Sequence, residues 1–387
     1  MGLKYLYVPS GYKAGTAYGV LPNAANADFA FVRGSAATRV NADGLIQSEI
    51  TNVPRLDYTD GTCPTLLTEP ASTNLLHNSG WEGGGALPTD WSYGNSDGTS
   101  TPVISTRGTI IKAYRFQTSS ARHSFNRNTT SVSGTTYTLS VYVESITGSS
   151  QFNSILYRIG GGGTDIFKKD GVVVSSTEGV VAGSFYSITF TSNTVQTIEF
   201  RVGLGVVGDV TGDVTISQPQ LETLAYRTSF MISSIGAIAT RSADTGVISG
   251  DLSSYINSSE GVLEIKAKAL FNGGNDCRIT LSDGTNDNRV GLIWFSSPNN
   301  TSVIVQKDAT TVVNPNLNID QTLMTTFKIK WKSGDIQVKV NGTVVFTDTS
   351  TFSELILDQL SFSKGTETNF FQGNVQYIKV YDSVTDF

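Results

Sequence analysis

The chain has 387 residues, of which 16% are charged, and a formal net charge of −6. Its Lys and Arg residues are too scattered for the clustered basic surface that nucleic-acid binding needs, and no run of about 18 apolar residues offers a membrane span. The 39 glycines, together with many Ser, Thr and Asn residues, are typical of a turn-rich all-β protein of two or three domains. Neither nucleic acid nor a membrane is therefore an expected partner.

The first 76 residues predict an extended segment rather than a domain with its own core. Pro54, Pro64 and Pro70 fix the backbone and remove hydrogen-bond donors, and only short apolar pairs lie between them. Glycines that follow aspartates supply turns. We interpret residues 1–76 as an anchor that becomes ordered against other subunits, and we expect it to carry oligomerisation.

Residues 77–225 predict a β-sandwich or jelly roll. Tyr137, Leu139, Val141 and Val143 alternate with polar residues, which is the period-2 pattern of a half-buried strand. The same alternation returns in several later runs that Gly-rich loops separate, and no convincing helix interrupts them. Fold class is therefore all-β, with an extended N-terminal anchor followed by two β-sandwich or jelly-roll domains.

Three aromatic residues at the start of this module are candidate glycan-binding platforms. Trp81, Trp91 and Tyr93 lie in a stretch broken by Gly and Pro, and loops of that kind carry recognition more often than strands do. An exposed ring packs against the apolar face of a sugar. The alternative is that Trp91 and at least one of the other two rings fill the core.

A connector at residues 226–246 leads to a second predicted β-sandwich at residues 247–387. In this module Phe327 and Trp331 share one face of a strand whose other face carries lysines. An Asn-Gly dipeptide at 341–342 predicts a hairpin. Trp331 is expected in the core, as is Trp294.

A cluster of oxygen-bearing side chains in the second module raises the question of a metal. Asp283, Asn286 and Asp287 gather near one turn, and carboxylate and amide oxygens are the ligands that Ca²⁺ prefers. The spacing is not that of an EF-hand, and Asp-Gly with Asn is also ordinary turn chemistry. Calcium is kept as an alternative, and no other cofactor is expected.

Catalysis has little support in the sequence. There is no GxSxG or HExxH motif, and the two histidines, His77 and His123, occur in unrelated contexts. Paired carboxylates of a glycoside hydrolase leave no sequence signature, because they need only meet in space. We expect no enzyme, with a polysaccharide depolymerase as the alternative.

Two stretches carry a family resemblance. The first reads ATRVNADGLI and then NVPRLDYTDGTCPTLLTEPASTNLL, and the second, at 218–244, reads QPQLETLAYRTSFMISSIGAIATRSAD. Together they resemble the N-terminal region and the connector of tailed-phage virion fibre and spike proteins with carbohydrate-binding-like jelly-roll modules. The meander at 325–346 and the closing strand resemble the concanavalin-A-like, laminin-G-like lectin fold.

The resemblance implies a non-enzymatic virion surface protein, namely a head fibre, spike or tail fibre, that binds a host-surface glycan. It implies attachment to capsid or tail proteins through residues 1–76, assembly as a homotrimer, and synthesis in the cytoplasm of a bacterial host. The chain's first residues lack the apolar run of a secretion signal, which agrees with that route. A purely structural joining or decoration role is the remaining alternative.

Overall fold

The structure, a computed structural model, describes residues 2–13 and 16–387. The chain is nearly all β, with 50% strand and 3% helix, which confirms the predicted fold class. No helix in the described part is both long and apolar enough to cross a membrane. The chain divides into two compact units, the first formed by Met1–Asp43, Glu49–Pro70 and Ser242–Phe387, the second by Gly44–Ser48 and Ala71–Arg241.

The strands are numbered in chain order. The first eight, with a 3₁₀ turn at Ala25–Ala27 after the second, are β1 (Leu3–Lys13), β2 (Thr16–Leu21), β3 (Phe29–Val32), β4 (Ala37–Val40), β5 (Ile46–Glu49), β6 (Arg55–Asp57), β7 (Thr65–Thr68) and β8 (Ser72–Asn74). The middle of the chain forms β9 (Ser92–Ser96), β10 (Thr99–Ile104), β11 (Lys112–Ala121), β12 (His123–Thr130), β13 (Thr136–Thr147), the short helix α1 (Phe152–Ile155), β14 (Leu156–Ile159), β15 (Ile166–Lys169), β16 (Val172–Val173), β17 (Ser184–Thr191), β18 (Thr197–Leu204) and β19 (Val210–Glu222).

The last twelve strands precede a 3₁₀ turn at Val384–Asp386. They are β20 (Ala239–Arg241), β21 (Thr245–Ser249), β22 (Glu260–Ala269), β23 (Cys277–Ser282), β24 (Arg289–Trp294), β25 (Thr301–Lys307), β26 (Thr310–Val313), β27 (Thr325–Lys332), β28 (Ile336–Val340), β29 (Thr343–Asp348), β30 (Gln359–Ser361) and β31 (Gly373–Tyr381).

The first unit is built on one 16-stranded sheet. Its order is β26-β25-β24-β23-β30-β21-β3-β2-β1-β31-β22-β27-β28-β29, and β6 and β7 join it through β7, which pairs with β31. Side chains from strands far apart in this order, such as Leu263 on β22 and Ile279 on β23, belong to one buried cluster. Trp294 and Trp331 lie in that cluster with Phe327, which confirms the core predicted for this module.

The predicted hairpin at 341–342 is also confirmed. Asn341 and Gly342 connect β28 to β29, and both have positive φ, at 49° and 86°. Two consecutive residues of this backbone type match the right-handed twist of the flanking strands.

The first 70 residues differ from the separate extended segment that the sequence predicts. Tyr5 and Tyr7 on β1 and Leu66 on β7 are buried in the same cluster as the C-terminal strands. Both β1 and β7 pair with β31. Alternate tyrosines of β1 supply the apolar surface that the short apolar pairs alone do not. Residues up to Pro70, apart from Gly44–Ser48, therefore belong to the first unit. The role of this segment in attachment stays a prediction.

The second unit is a β-sandwich. A seven-stranded sheet, β10-β11-β19-β13-β17-β15-β16, and a four-stranded sheet, β14-β18-β12-β9, share one buried cluster. Tyr137, Leu139, Val141 and Val143 all lie in this cluster, which confirms the alternation predicted for β13. A short pair, β8 with β20, joins the two ends of the unit.

Part of the outer face of the seven-stranded sheet, at β13 and β15, contacts the chain that follows β19. Thr138 Oγ1 donates a hydrogen bond to the carbonyl of Leu224 (2.7 Å), and Lys168 Nζ donates to the carbonyl of Ala225 (3.1 Å). Burial under this segment lowers the pKa of Lys168.

Candidate functional site

The two tryptophans predicted as sugar platforms lie in the core of the second unit. Trp81 has no exposed surface and Trp91 is 5% exposed. Trp81 packs edge-on against Trp91 and Tyr114, and Trp91 Nε1 donates to the carbonyl of Asn78 (3.0 Å). A ring without an exposed face cannot stack on a sugar. The geometry contradicts the platform interpretation for both residues and supports the alternative that they fill the core.

Tyr93 is placed differently. It lies on β9, at the edge of the four-stranded sheet, and is 40% exposed. Its ring contacts those of His123 and Phe125, with centroid separations of 5.4 and 6.0 Å. Tyr93 is thus anchored on one side and reachable on the other, so its role in glycan binding stays a prediction.

The predicted calcium ligands Asp283, Asn286 and Asp287 lie in the turn between β23 and β24. The Asp283 carboxylate accepts hydrogen bonds from the amide and hydroxyl of Thr285 (2.9 and 2.5 Å) and from Asn288 Nδ2 (2.8 Å). Burial raises the pKa of Asp283, but these hydrogen bonds outweigh it and the pKa is lowered. Within residues 2–13 and 16–387, no three His, Cys, Asp or Glu side chains are grouped so that they could hold a metal. The oxygens of Asp283 already serve the turn, and calcium stays an untested alternative.

A carboxylate near this turn predicts a pH effect on stability. Burial raises the pKa of Asp358, and the charges of Asp251 and Asp283 raise it further. Its Oδ1 is buried and has no hydrogen-bond partner among the described residues. The pKa of Asp358 in the folded protein lies above its ordinary value of 3.8. The wild type therefore loses folding stability as the pH rises from that ordinary value through the raised pKa.

Asp358→Asn is therefore expected to raise the melting temperature at pH 7. The gain should shrink as the pH falls through the raised pKa, because Asp358 is then uncharged like Asn. Asp348→Asn is the matched control, since hydrogen bonds from Ser350 lower the pKa of Asp348 and its loss should act in the opposite direction. Thermal unfolding from pH 3 to pH 8 measures both variants against the wild type. If the difference in melting temperature between Asp358→Asn and the wild type does not change with pH, the raised pKa of Asp358 is contradicted.

The outer face of the four-stranded sheet carries a polar cluster that the sequence does not reveal. Core residues such as Phe125 and Phe200 alternate with residues that point to the opposite face. On that face Tyr157, Arg201, Asn126 and Ser92 form one row across the four strands, in direct register. We define the polar face by six residues: Asn95, Ser124, Asn126, Tyr157, Glu199 and Arg201.

A carboxylate organises the centre of the polar face. Glu199 Oε1 accepts hydrogen bonds from Arg201 Nε (2.6 Å) and from Asn126 Nδ2 (2.9 Å). The terminal nitrogens of Arg201 and the second oxygen of Glu199 have no hydrogen-bond partner in the described part of the chain. The network places the terminal nitrogens of Arg201 beside the second oxygen of Glu199. Both groups remain able to bind a ligand.

Three polar atoms of the same face are buried and unpaired. Ser124 Oγ, Asn126 Oδ1 and Asn95 Nδ2 have no hydrogen-bond partner among the described residues, and Ser124 has no exposed surface at all. Because buried polar atoms in proteins nearly always have partners, each of these is a place for an enclosed water molecule. The three atoms lie beneath the face and are not accessible to a ligand on its surface.

Gly94 makes this arrangement sterically feasible. It lies where the pairing of β9 with β12 is interrupted, and a Cβ there would stand 2.8 Å from Ser124 Oγ and 3.6 Å from Arg201 Nε. A larger residue would displace the Ser124 hydroxyl, whereas its contact with Arg201 would be an ordinary one.

The chemistry of the polar face suits a polyhydroxylated ligand. Sugar hydroxyls both donate and accept, and a half-buried ring such as Tyr157 offers a surface for an apolar sugar face. Glu199 is the sole acidic residue in the sequences of β9, β12, β14 and β18. Glycoside hydrolysis by the usual routes needs two carboxyl groups, which these strands do not provide.

The fold and this face define the chain as an all-β protein with a candidate ligand-binding sandwich. No protein-family model matches its sequence, and no curated protein is significantly similar to it. Nine solved chains match in structure at a significant level.

Two of these solved structures come from bacteria. A Bacteroides ovatus protein, provisionally described as carbohydrate-binding, shares 13% identity and a TM-score of 0.20, with 67% of this chain and 75% of that chain covered. The adhesin domain of Epf from Streptococcus pyogenes shares 10% identity and a TM-score of 0.18, with coverage of 75% and 99%. Likeness at this level carries no argument about fold or function, and the phage resemblance stays a prediction.

Proposed function

We propose that this chain is a non-enzymatic bacteriophage virion surface protein, a head fibre, spike or tail fibre, that binds a host-surface glycan. The observation that carries glycan binding is the polar face, where the guanidinium edge of Arg201 and one oxygen of Glu199 lie side by side without a further partner among the described residues. The virion role rests on the resemblance of the two sequence stretches. Virion surface is accordingly the proposed location.

Tyr157 is proposed as the main stacking ring. Tyr93 stands opposite Phe125 in the pairing and points to the other side of the sheet, so it is a separate candidate contact. Tyr157 faces Arg201 directly on the neighbouring strand, so a sugar over the ring would reach the guanidinium edge. A shallow site on one sheet gives weak binding per copy. Many copies on one particle would raise the effective concentration and make attachment firm.

Tyr157→Ala is expected to weaken glycan binding by about tenfold or more, since truncating an aromatic residue at the centre of a binding surface costs on the order of 2 kcal/mol. Stability should change little, because the side chain is half-buried and outside the core cluster. Tyr58→Ala is the matched control, a half-buried tyrosine of the first unit. Binding to an array of bacterial surface glycans, with melting temperature measured in parallel, checks this. Equal binding by both variants would contradict the assignment of the site.

The depolymerase alternative has a direct test. Purified protein is incubated with host surface polysaccharide, and new reducing ends are counted. Glu199→Gln serves as the control, because Glu199 is the one acid of the face-forming strands. Release of reducing ends that Glu199→Gln abolishes would overturn the non-enzymatic proposal.

Assembly is proposed as a homotrimer attached to capsid or tail proteins through residues 1–76. A closed ring of copies would let this segment contact identical neighbours. Since β1 to β7, except β5, lie within the first unit, truncation would remove strands of its sheet and cannot test assembly alone. Light scattering on the full chain is the suitable measurement, and a monomer at micromolar concentration argues against the trimer.

A further inference from the structure

The charges of the polar face cancel within it. Arg201 and Glu199 are joined by an Nε–Oε1 contact of 2.6 Å, and the other four members, Asn95, Ser124, Asn126 and Tyr157, are uncharged near neutral pH. The two other arginines of these strands, Arg127 and Arg158, stand opposite Phe200 in the pairing and point toward its side of the sheet. No excess positive charge is left on the face to attract an anion.

The accessible acceptor of the face points to the same ligand class. Asn126 donates through Nδ2 to Glu199 Oε1, which leaves the second oxygen of Glu199 as the acceptor that a ligand can reach. A carboxylate or sulfate ligand carries acceptors alone and would be repelled by this oxygen. A hydroxyl can donate to it and accept from Arg201.

Adjacent donor and acceptor groups select a pair of hydroxyls. Arg201 and Asn126 face each other across β18 and β12, with the Glu199 carboxylate bonded to both. Two neighbouring hydroxyls of one sugar ring present the complementary pattern, in which one donates to the second oxygen of Glu199 and the other accepts from Arg201.

We infer that the polar face takes a neutral glycan through a vicinal diol and discriminates against acidic sugars. This inference rests on the proposed glycan-binding function and adds the ligand class. Glu199 is its specificity-determining residue, since it repels an anion and accepts from a hydroxyl. Arg201 alone, without that carboxylate, would favour uronates and sialylated chains.

The experiment compares matched oligosaccharides by isothermal titration calorimetry. Each pair contains a neutral hexose chain found positive on the array and the same chain with one terminal hydroxymethyl oxidised to a carboxylate. The wild type should prefer the neutral member by about tenfold or more, because like charges brought together are strongly unfavourable. Glu199→Gln should reduce this preference by weakening neutral binding and strengthening acidic binding. Asp213→Asn is the matched control, an acid paired with Arg115 on the seven-stranded sheet, and should leave the preference unchanged.

Each outcome decides one point. A neutral preference that Glu199→Gln narrows, with melting temperature unchanged, supports the inference. A preference of the wild type for acidic sugars, or one that Glu199→Gln does not alter, overturns the inference while the glycan-binding proposal stands. If folded protein binds no array glycan, neutral or acidic, the proposed function itself is overturned and the inference falls with it.

Discussion

Asp244→Ala is expected to lower the free energy of unfolding of the first unit by about 3–5 kcal/mol, the usual cost of removing one partner from a buried ion pair. Asp244 is 3% exposed and pairs with Arg33 (3.1 Å) and with Arg55. Its carboxylate also accepts from the amide of Glu69 (2.8 Å). Without this carboxylate, the buried guanidinium groups of Arg33 and Arg55 have less negative charge beside them. Burial lowers the pKa of Arg55, but Asp244 and Glu69 outweigh it and raise the pKa.

The control is an ion pair of the same type on the surface. Asp209 pairs with Arg122 at 2.6 Å, but the two side chains are 61% and 43% exposed. Asp209→Ala should therefore cost about 0–1 kcal/mol. Urea unfolding of both variants measures the difference. Equal effects would mean that the buried cluster contributes no more than a solvated pair.

This cluster gives the family-like stretches a physical role. Arg55 comes from NVPRLDY, Glu69 from LLTEP and Asp244 from TRSAD, and the structure joins all three with Arg55 at the centre. Glu69 and Asp244 are also held by a backbone bond from the Asp244 amide to the Glu69 carbonyl (2.9 Å). Segments widely separated in sequence are thereby tied within the first unit.

Trp91→Ala is expected to destabilise the second unit by about 3–5 kcal/mol, as is usual when a buried aromatic residue is truncated. The ring packs against Trp81 and Phe200, with centroid distances of 5.7 and 6.0 Å. The change also leaves the Asn78 carbonyl without its indole donor. Thermal unfolding should show a large drop in melting temperature.

Tyr93→Ala provides the comparison, because Tyr93 is close in sequence but 40% exposed. Its effect on stability should be clearly smaller than that of Trp91→Ala. If Trp91→Ala instead kept its melting temperature and lost glycan binding, Trp91 would be a platform after all and the burial argument would fail.

Local patterns in the sequence were sufficient for the fold class and much of the core. Alternation along a single strand reports which side chains face inward, whatever its neighbours are. That is why the core positions of β13 and β27, and the hairpin after Val340, agree with the structure. The same logic failed for Trp81, which stands among glycines and looks like a loop residue although it is fully buried.

Only the tertiary structure decided which strands are neighbours, because strand pairing depends on contacts between residues far apart in the chain. It placed β1 and β7 beside β31, so the N-terminal segment became part of a sheet. It also brought β9, β12, β14 and β18 together in an order that differs from their order in the sequence. Tyr157, Arg201 and Asn126 are unremarkable within their own strands. They form a site because backbone hydrogen bonds between non-consecutive strands set them in one row.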